Sequence, residues 1–63
     1  MAEKRSFLLA YPDGCEEPYR TRRRVLIGSV LMVERPDARV PVRVTGMGWE
    51  GEKFVLHVAE VFP

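Results

Sequence analysis

The sequence predicts an all-β protein, and two of its segments carry that prediction. Residues 22–35 have an almost uninterrupted apolar middle, rich in valine and isoleucine, between charged ends, which is typical of a buried strand. Residues 39–45 alternate valine with arginine, proline or threonine, which is typical of a strand with one solvated face. No segment has the period of an amphipathic helix. We therefore expect a small antiparallel sheet of about four strands, strongly coiled or closed into a small barrel.

The first strand is expected over residues 6–11, where alternation places Phe7, Leu9 and Tyr11 on one face. The sequence Pro-Asp-Gly at residues 12–14 favours a turn that ends this strand. Residues 15–21 contain charge and a proline but no periodicity, so we interpret them as a loop.

Residues 22–35 are expected to form the central strand, buried on both faces. A tight turn at Pro36 and Asp37 would pair Val33 with Val40, and residue 31 with residue 42, which fixes the face of each side chain. The strand then divides into a core set, Val25, Ile27, Leu31 and Val33, and an opposite set, Leu26, Val30 and Met32, which lies beside Val55, with a bend at Gly28 and Ser29. The opposite set needs a cover, supplied either by residues 6–21 or by a second copy of the chain.

The last two strands are expected over residues 39–45 and 53–62. A three-residue loop, residues 49–51, pairs Val44 with Leu56, keeps opposed residues on one face and puts Gly51 in the left-handed conformation. Pro41 cannot donate a ladder hydrogen bond, so we expect an edge strand or a bulge at that position. Trp49 has two possible roles: it either folds back and completes a core that is short of apolar side chains, which is the favoured interpretation, or stays exposed at the hairpin tip and anchors a partner.

Size and composition limit the kind of protein. The chain has 63 residues, 46% of them hydrophobic, and a net charge of +1, which indicates one globular domain with a thin core. Its single cysteine excludes an internal disulfide and its single histidine argues against a zinc site, so self-association is the expected source of further stability. The short apolar run at residues 7–10 is neither a signal-peptide core nor a membrane span, and we expect a soluble, cytoplasmic protein.

The sequence contains no recognisable catalytic constellation. His57 has no base, acid or nucleophile at a characteristic spacing, and the acidic residues that follow Cys15 should raise the pKa of its thiol. The glycines form no nucleotide-binding fingerprint. We therefore predict a protein that is not an enzyme and that has no cofactor, no metal site and no membrane partner.

Two binding functions are left, together with the third alternative of a subunit that contributes to a larger enzyme. The first, and favoured, is self-association or docking on another protein through the second apolar face, with Leu26, Val30, Met32 and Val55 in the contact. The second is binding of single-stranded RNA or DNA by a basic segment that consists of Tyr19, Arg20, Arg22, Arg23 and Arg24. Acidic residues just upstream weaken that second interpretation, since the same arginines would also suit a solvated or ion-paired strand end.

Overall fold

A computed structural model describes residues 5–61, and in that range the chain is all-β, as predicted. Its strands are β1 (Arg5–Ala10), β2 (Glu16–Thr21), β3 (Val30–Glu34), β4 (Arg39–Glu50) and β5 (Lys53–Glu60). They form one curled sheet, a half-barrel, in the order β2-β1-β5-β4-β3. The sheet has five strands where about four were expected, and one neighbouring pair, β1 and β5, is parallel instead of antiparallel.

The core fills the inner face of the curl. Leu9 and Leu56, on the adjacent strands β1 and β5, have no exposed surface. The predicted alternation of β4 and β5 is confirmed, because Val42, Val44 and Val58 are also buried on this face. Around this centre lie partly buried side chains that widen the core toward its rim: Phe7, Tyr11, Tyr19, Val25, Val40, Met47 and Phe54. Phe62, the end of the last predicted strand, lies outside the described residues.

The β4–β5 hairpin has a different register from the predicted one. Val44 lies opposite Val58, and the strands continue to a two-residue turn at Gly51 and Glu52. A bulge between Val44 and Gly46 adds one residue to β4, so a two-residue turn and matched faces occur together. Gly51 has φ of +64°, whereas Glu52, like every other non-glycine residue in the described range, does not have a positive φ. A positive φ at the first turn residue alone is the pattern of a type II′ turn.

Pro41 lies in an interior strand, so the predicted edge position is wrong, and the bulge lies farther along β4. The Pro41 carbonyl accepts a hydrogen bond from the Val61 amide, which shows that the proline nitrogen also faces the β5 side. Strand β5 ends at Glu60, immediately before Val61. The missing N–H therefore falls at the last rung of the β4–β5 ladder, where its loss breaks no interior hydrogen bond.

The two halves of the segment 15–29 exchange the structures predicted for them. Residues predicted as a loop form β2, which pairs with β1 from Glu16 to Thr21. Most of the predicted central strand is irregular, because the Arg23 amide binds Thr21 Oγ1 and bends the chain, and Gly28 has φ of +94°. Only Val30–Glu34 remains as β3, whose pairing with β4 through Pro36 and Asp37 is the predicted one.

The two outer strands of the curl approach each other without pairing. No Cα atom of β2 lies within 8 Å of a Cα atom of β3. One polar cluster bridges them at one end: Arg35, just after β3, donates to Glu17 of β2 at 2.6 Å and to the Tyr11 hydroxyl at 3.2 Å. Tyr11 in turn donates to Glu17, and the Arg35 guanidinium lies 5.5 Å from the centre of the Tyr11 ring.

Candidate interaction surfaces

Exposed apolar side chains concentrate in one stretch, residues 26–32, which we call the apolar segment. Among the described residues, five large hydrophobic side chains are exposed, and four of them lie in this segment: Leu26, Ile27, Val30 and Met32. The fifth, Trp49, lies on the β4–β5 hairpin. Isolated exposed apolar residues are normal on protein surfaces, whereas a group of this kind is typical of an interaction site.

The first half of the apolar segment is a turn that is fixed to the sheet. Its closing hydrogen bond runs from the Ser29 amide to the Leu26 carbonyl at 3.0 Å, and the positive φ of Gly28 at the third position makes it type II. Ser29 Oγ accepts the Leu26 amide, and Gly28 and Ser29 exchange backbone hydrogen bonds with Val44 of β4 at 2.7 and 2.9 Å. Leu26 and Ile27 are therefore held in solvent by a well-bonded turn.

The second half of the apolar segment is an edge strand with free backbone groups. The amide of Val44 donates to the carbonyl of Ser29, and the amide of Arg35 donates to the carbonyl of Ala38. Antiparallel ladders alternate, so the odd-numbered residues of β3 bond to β4, and the N–H and C=O groups of Val30 and Met32 point to the open side. The same two residues thus expose apolar side chains and unpaired backbone groups.

The opposite edge, β2, is protected against pairing. The Tyr11 amide donates to the Cys15 carbonyl, which places the backbone groups of Glu16, Pro18 and Arg20 on the open side. Pro18 has no N–H on that side, and the residues two positions before and after it, Glu16 and Arg20, are charged. Proline and charge on an outer strand are features that prevent edge-to-edge association. This position also explains how a proline is tolerated within β2.

The structure brings three of the four predicted interface residues together. Leu26, Val30 and Met32 are all exposed in the apolar segment. Val55 is only 2% exposed, since it lies on the outer face of β5 between Leu8 and Gly48, and it does not belong to this surface. Ile27, predicted as core, is exposed instead, because the turn at Gly28 interrupts the two-residue period on which that prediction was based.

The basic segment is divided by the fold. Tyr19 faces the inner side of the sheet and packs against the core, whereas Arg20 lies on the outer face. Arg22, Arg23 and Arg24 follow β2 in an exposed bend, and Arg5 of β1 joins them because it lies opposite Thr21. We call Arg5, Arg22, Arg23 and Arg24 the arginine cluster. None of the four forms an ion pair with another residue of the range 5–61.

The acidic residues that seemed to neutralise this segment lie at the far end of β2. Glu16 and Arg22 are six residues apart along an extended chain, which corresponds to about 20 Å. Glu17 is engaged by Arg35, and the Asp13 carboxylate accepts the Cys15 amide at 2.9 Å. The charge of the arginine cluster is therefore not cancelled by these neighbours in sequence.

An apolar groove of about 570 Å³ adjoins the arginine cluster, and we call it the aromatic groove. Trp49 is 70% exposed there, in contrast to its predicted core role, with its ring centre 5.2 Å from that of Phe54 in an edge-to-face contact. Phe54 makes a second edge contact with Phe7 at 5.8 Å. The groove is lined by Arg5, Ser6, Phe7, Val25, Met47, Trp49 and Phe54. The two-residue hairpin turn, which the sequence prediction missed, makes Trp49 and Phe54 direct partners.

The titratable groups of the described chain show no catalytic arrangement. Burial first, and then the hydrogen bond to Glu17, raise the pKa of Tyr11 to about 12. Partial burial raises the pKa of Glu17, but hydrogen bonds from Tyr11 and Arg35 outweigh it, so the net shift is downward. Cys15 is exposed, and its interaction with Asp13 raises the pKa of the thiol, which reduces its nucleophilicity.

Within residues 5–61, no three His, Cys, Asp or Glu side chains are grouped as a metal site would require. The same range contains no helix with the length and apolar character needed to cross a membrane. Searches against protein-family models, curated proteins and solved structures find no match to this chain.

Proposed function

We propose that this protein is a non-enzymatic interaction module that self-associates through the apolar segment. The observation that carries the proposal is the coincidence, on β3, of exposed apolar side chains and unpaired backbone groups. Val30 and Met32 provide both. A second copy of β3 added to this edge would bond the free N–H and C=O groups and cover the side chains in one step.

The contrast between the two open edges supports β3 as the contact. Evolution of a soluble sheet favours proline and charge at exposed edges, and β2 has both around Pro18. Strand β3 has neither at Val30 and Met32, and the turn before it adds Leu26 and Ile27 to the same exposed surface. Four large apolar side chains grouped beside one edge are typical of an edge that binds a partner.

The expected affinity is modest. Complete burial of a Leu, Ile, Val or Met side chain is worth about 1.5–3 kcal/mol, so covering side chains that are already half buried gains roughly 1 kcal/mol each. Association itself costs on the order of 4–15 kcal/mol, which is similar to the total gain from the eight side chains of a dimer. At the lowest association cost the net gain is about 4 kcal/mol, which corresponds to a dissociation constant of about 1 mM, so dimer should appear at several hundred micromolar protein.

A symmetric antiparallel pair centred on Leu31 is the most favourable register. In it, Val30 of one copy lies opposite Met32 of the other, and their outward backbone groups form the hydrogen-bonded pairs. A pair centred on Met32 would instead place Glu34 opposite Val30. Apolar matching therefore favours the first arrangement.

Sedimentation equilibrium from low micromolar to several hundred micromolar protein tests the proposal. We expect a reversible monomer–dimer equilibrium that Met32→Lys abolishes, because two lysines would face the interface. His57→Lys is the matched control: His57 is exposed on the outer face of β5, so the same charge is added two strands away from the edge. A wild-type protein that stays monomeric over the whole range would contradict the proposal.

Hydrogen exchange distinguishes edge pairing from packing of the outer faces. The amides of Val30 and Met32 point to the open side, so they should exchange rapidly in dilute protein and slow down as the dimer forms. Packing of two outer faces would leave these amides unprotected. Dimerisation without protection of these two amides would therefore exclude β3 pairing.

A further inference from the structure

We propose that the arginine cluster and the aromatic groove together bind single-stranded nucleic acid. This inference concerns side chains other than those of the apolar segment, namely the arginines at the open end of the β1–β2 hairpin and the aromatic side chains at the tip of the β4–β5 hairpin. In this site the arginines contact phosphates at the rim, and one or more bases enter the groove beside Trp49.

Charge is the first argument. Arg22, Arg23 and Arg24 are consecutive and exposed in the bend after β2, and Arg5 is brought to the same end by its pairing with Thr21. Guanidinium groups bind phosphate oxygens with two parallel hydrogen bonds, and binding releases condensed counterions from the nucleic acid. The cluster faces no acidic partner within residues 5–61, so its charge is available to a ligand.

Aromatic surface is the second argument. Trp49 presents most of its indole to solvent while Phe54 holds it edge-on from one side. Nucleic-acid bases stack on such faces irrespective of their sequence. The Arg5 side chain lines the groove itself, and Val25, which follows Arg24 directly, lines it too. One cation, Arg5, and three aromatic rings therefore border the same cavity, and Arg24 is joined to it through Val25.

The arrangement favours a single strand over a duplex and over an acidic protein. Bases in a duplex are stacked and paired, and bringing one into the groove would require flipping it out. An acidic peptide would match the arginines but not the open aromatic face. Glu50, the residue after Trp49, lies opposite Lys53 in the hairpin register, on the other face of the hairpin from Trp49.

Fluorescence anisotropy with a labelled single-stranded oligonucleotide of mixed sequence tests the inference, beside the matching duplex and poly-glutamate. Three phosphate contacts predict a salt exponent of about −2, so affinity should fall about 20-fold between about 50 and 200 mM salt. Trp49 is the only tryptophan in the chain, so quenching of the protein's tryptophan emission reports directly on the groove. We expect saturable quenching with the single strand.

Variants separate the two parts of the site. Arg22→Glu with Arg24→Glu should weaken binding at least 10-fold and flatten the salt dependence. Arg43→Glu is the matched control, because Arg43 is exposed on the outer face of β4, away from the cluster, and should leave affinity unchanged. Trp49→Ala should weaken binding about 5- to 150-fold, the equivalent of one lost base stack, and Trp49→Phe should restore part of it. Circular dichroism confirms that each variant is folded.

Several results would overturn the inference. These are no binding of the single strand at low salt, a duplex bound as tightly as the single strand, or poly-glutamate bound as tightly with the same quenching. Equal losses in Arg43→Glu and the double arginine variant would show a nonspecific effect of charge. Full affinity in Trp49→Ala would remove the groove from the site. The assay is repeated in Met32→Lys, where retained binding shows that the site does not depend on self-association.

Discussion

Tyr11, Glu17 and Arg35 connect the open sides of the half-barrel, and their ionisation should make its stability depend on pH at both extremes. The lowered pKa of Glu17 means that its carboxylate stabilises the fold above the ordinary value of 4.5, and that this contribution is lost as pH falls through the lower folded value. Tyr11, with its pKa raised to about 12, stabilises the fold fully below pH of about 10. That contribution disappears as pH rises toward 12.

Glu17→Gln tests this at the level of one residue. The substitution keeps the shape of the side chain but removes the ion pair with Arg35, so we expect a lower thermal unfolding midpoint at neutral pH and a flatter acid limb. Glu16→Gln removes the same charge from the adjacent exposed residue and should change neither. Unfolding followed by circular dichroism from pH 3 to 12 measures both effects. Equal behaviour of the two variants would show that the cluster does not bridge the edges.

At the scale of single elements, the turn that presents Leu26 and Ile27 depends on Gly28. Its φ of +94° is costly for any residue with a Cβ atom, although no heavy atom lies within 4 Å of the position that a Cβ would take. Gly28→Ala should therefore lower the free energy of unfolding by about 1–2 kcal/mol through backbone strain alone. Gly48→Ala is the control, because that site is equally open but has no positive φ. Urea denaturation compares them, and similar losses would contradict the role of the turn.

Strand β2 offers the converse test, since Pro18 is proposed to keep its edge solvated. Pro18→Val restores an N–H on the open side and adds a β-branched side chain to the strand. We expect larger assemblies in sedimentation velocity than the wild type forms, because each molecule would then have two edges that can pair. Pro18→Lys restores the N–H with a charge and should associate less than Pro18→Val. Unchanged sedimentation of Pro18→Val would show that β2 is protected by other means.

These two elements also show what the sequence predicts and what it does not. Alternation placed Val42, Val44, Leu56 and Val58 correctly in the core, because the inner face of β4 and β5 is buried around these four residues. It failed for β2, whose inward residues are only partly buried and largely polar, so no apolar period marks the strand. It also failed before β3, where an apolar run continues through a turn. Apolar composition there reflects an exposed surface and not a buried strand.

Alternation within one hairpin predicts the apolar segment, but it does not predict sites that depend on pairing between residues distant in sequence. Leu26, Val30 and Met32 follow from a local argument, since register on one hairpin decides which side chains face away from the core. The arginine cluster needs Arg5, which is distant in sequence and reaches the cluster only through the pairing of β1 with β2. The contact between Trp49 and Phe54 depends on a bulge that alternation does not reveal.

At the scale of the whole molecule, the half-barrel is slightly expanded. Its Cα radius of gyration is 11.5 Å, whereas a compact chain of this length is expected near about 10.6 Å. Strands β2 and β3 stay apart, so the sheet does not close on itself, and the polar cluster around Arg35 joins its two sides. Pairing with a second copy extends such a sheet without requiring it to close.

Disulfide trapping tests the proposed assembly and its register together. With Cys15 replaced by serine, Val30→Cys and Met32→Cys proteins are prepared separately and then mixed. In the pair centred on Leu31, residue 30 of one copy faces residue 32 of the other at a Cα separation of about 5.5 Å, which suits a disulfide. Identical residues are offset by two positions, at about 7–8 Å, which does not. We therefore expect the mixture to form a covalent dimer under mild oxidation much faster than either protein alone. Rapid cross-linking of Met32→Cys alone would instead place the symmetry axis at residue 32. No cross-linking in any of the samples would exclude β3 from the interface.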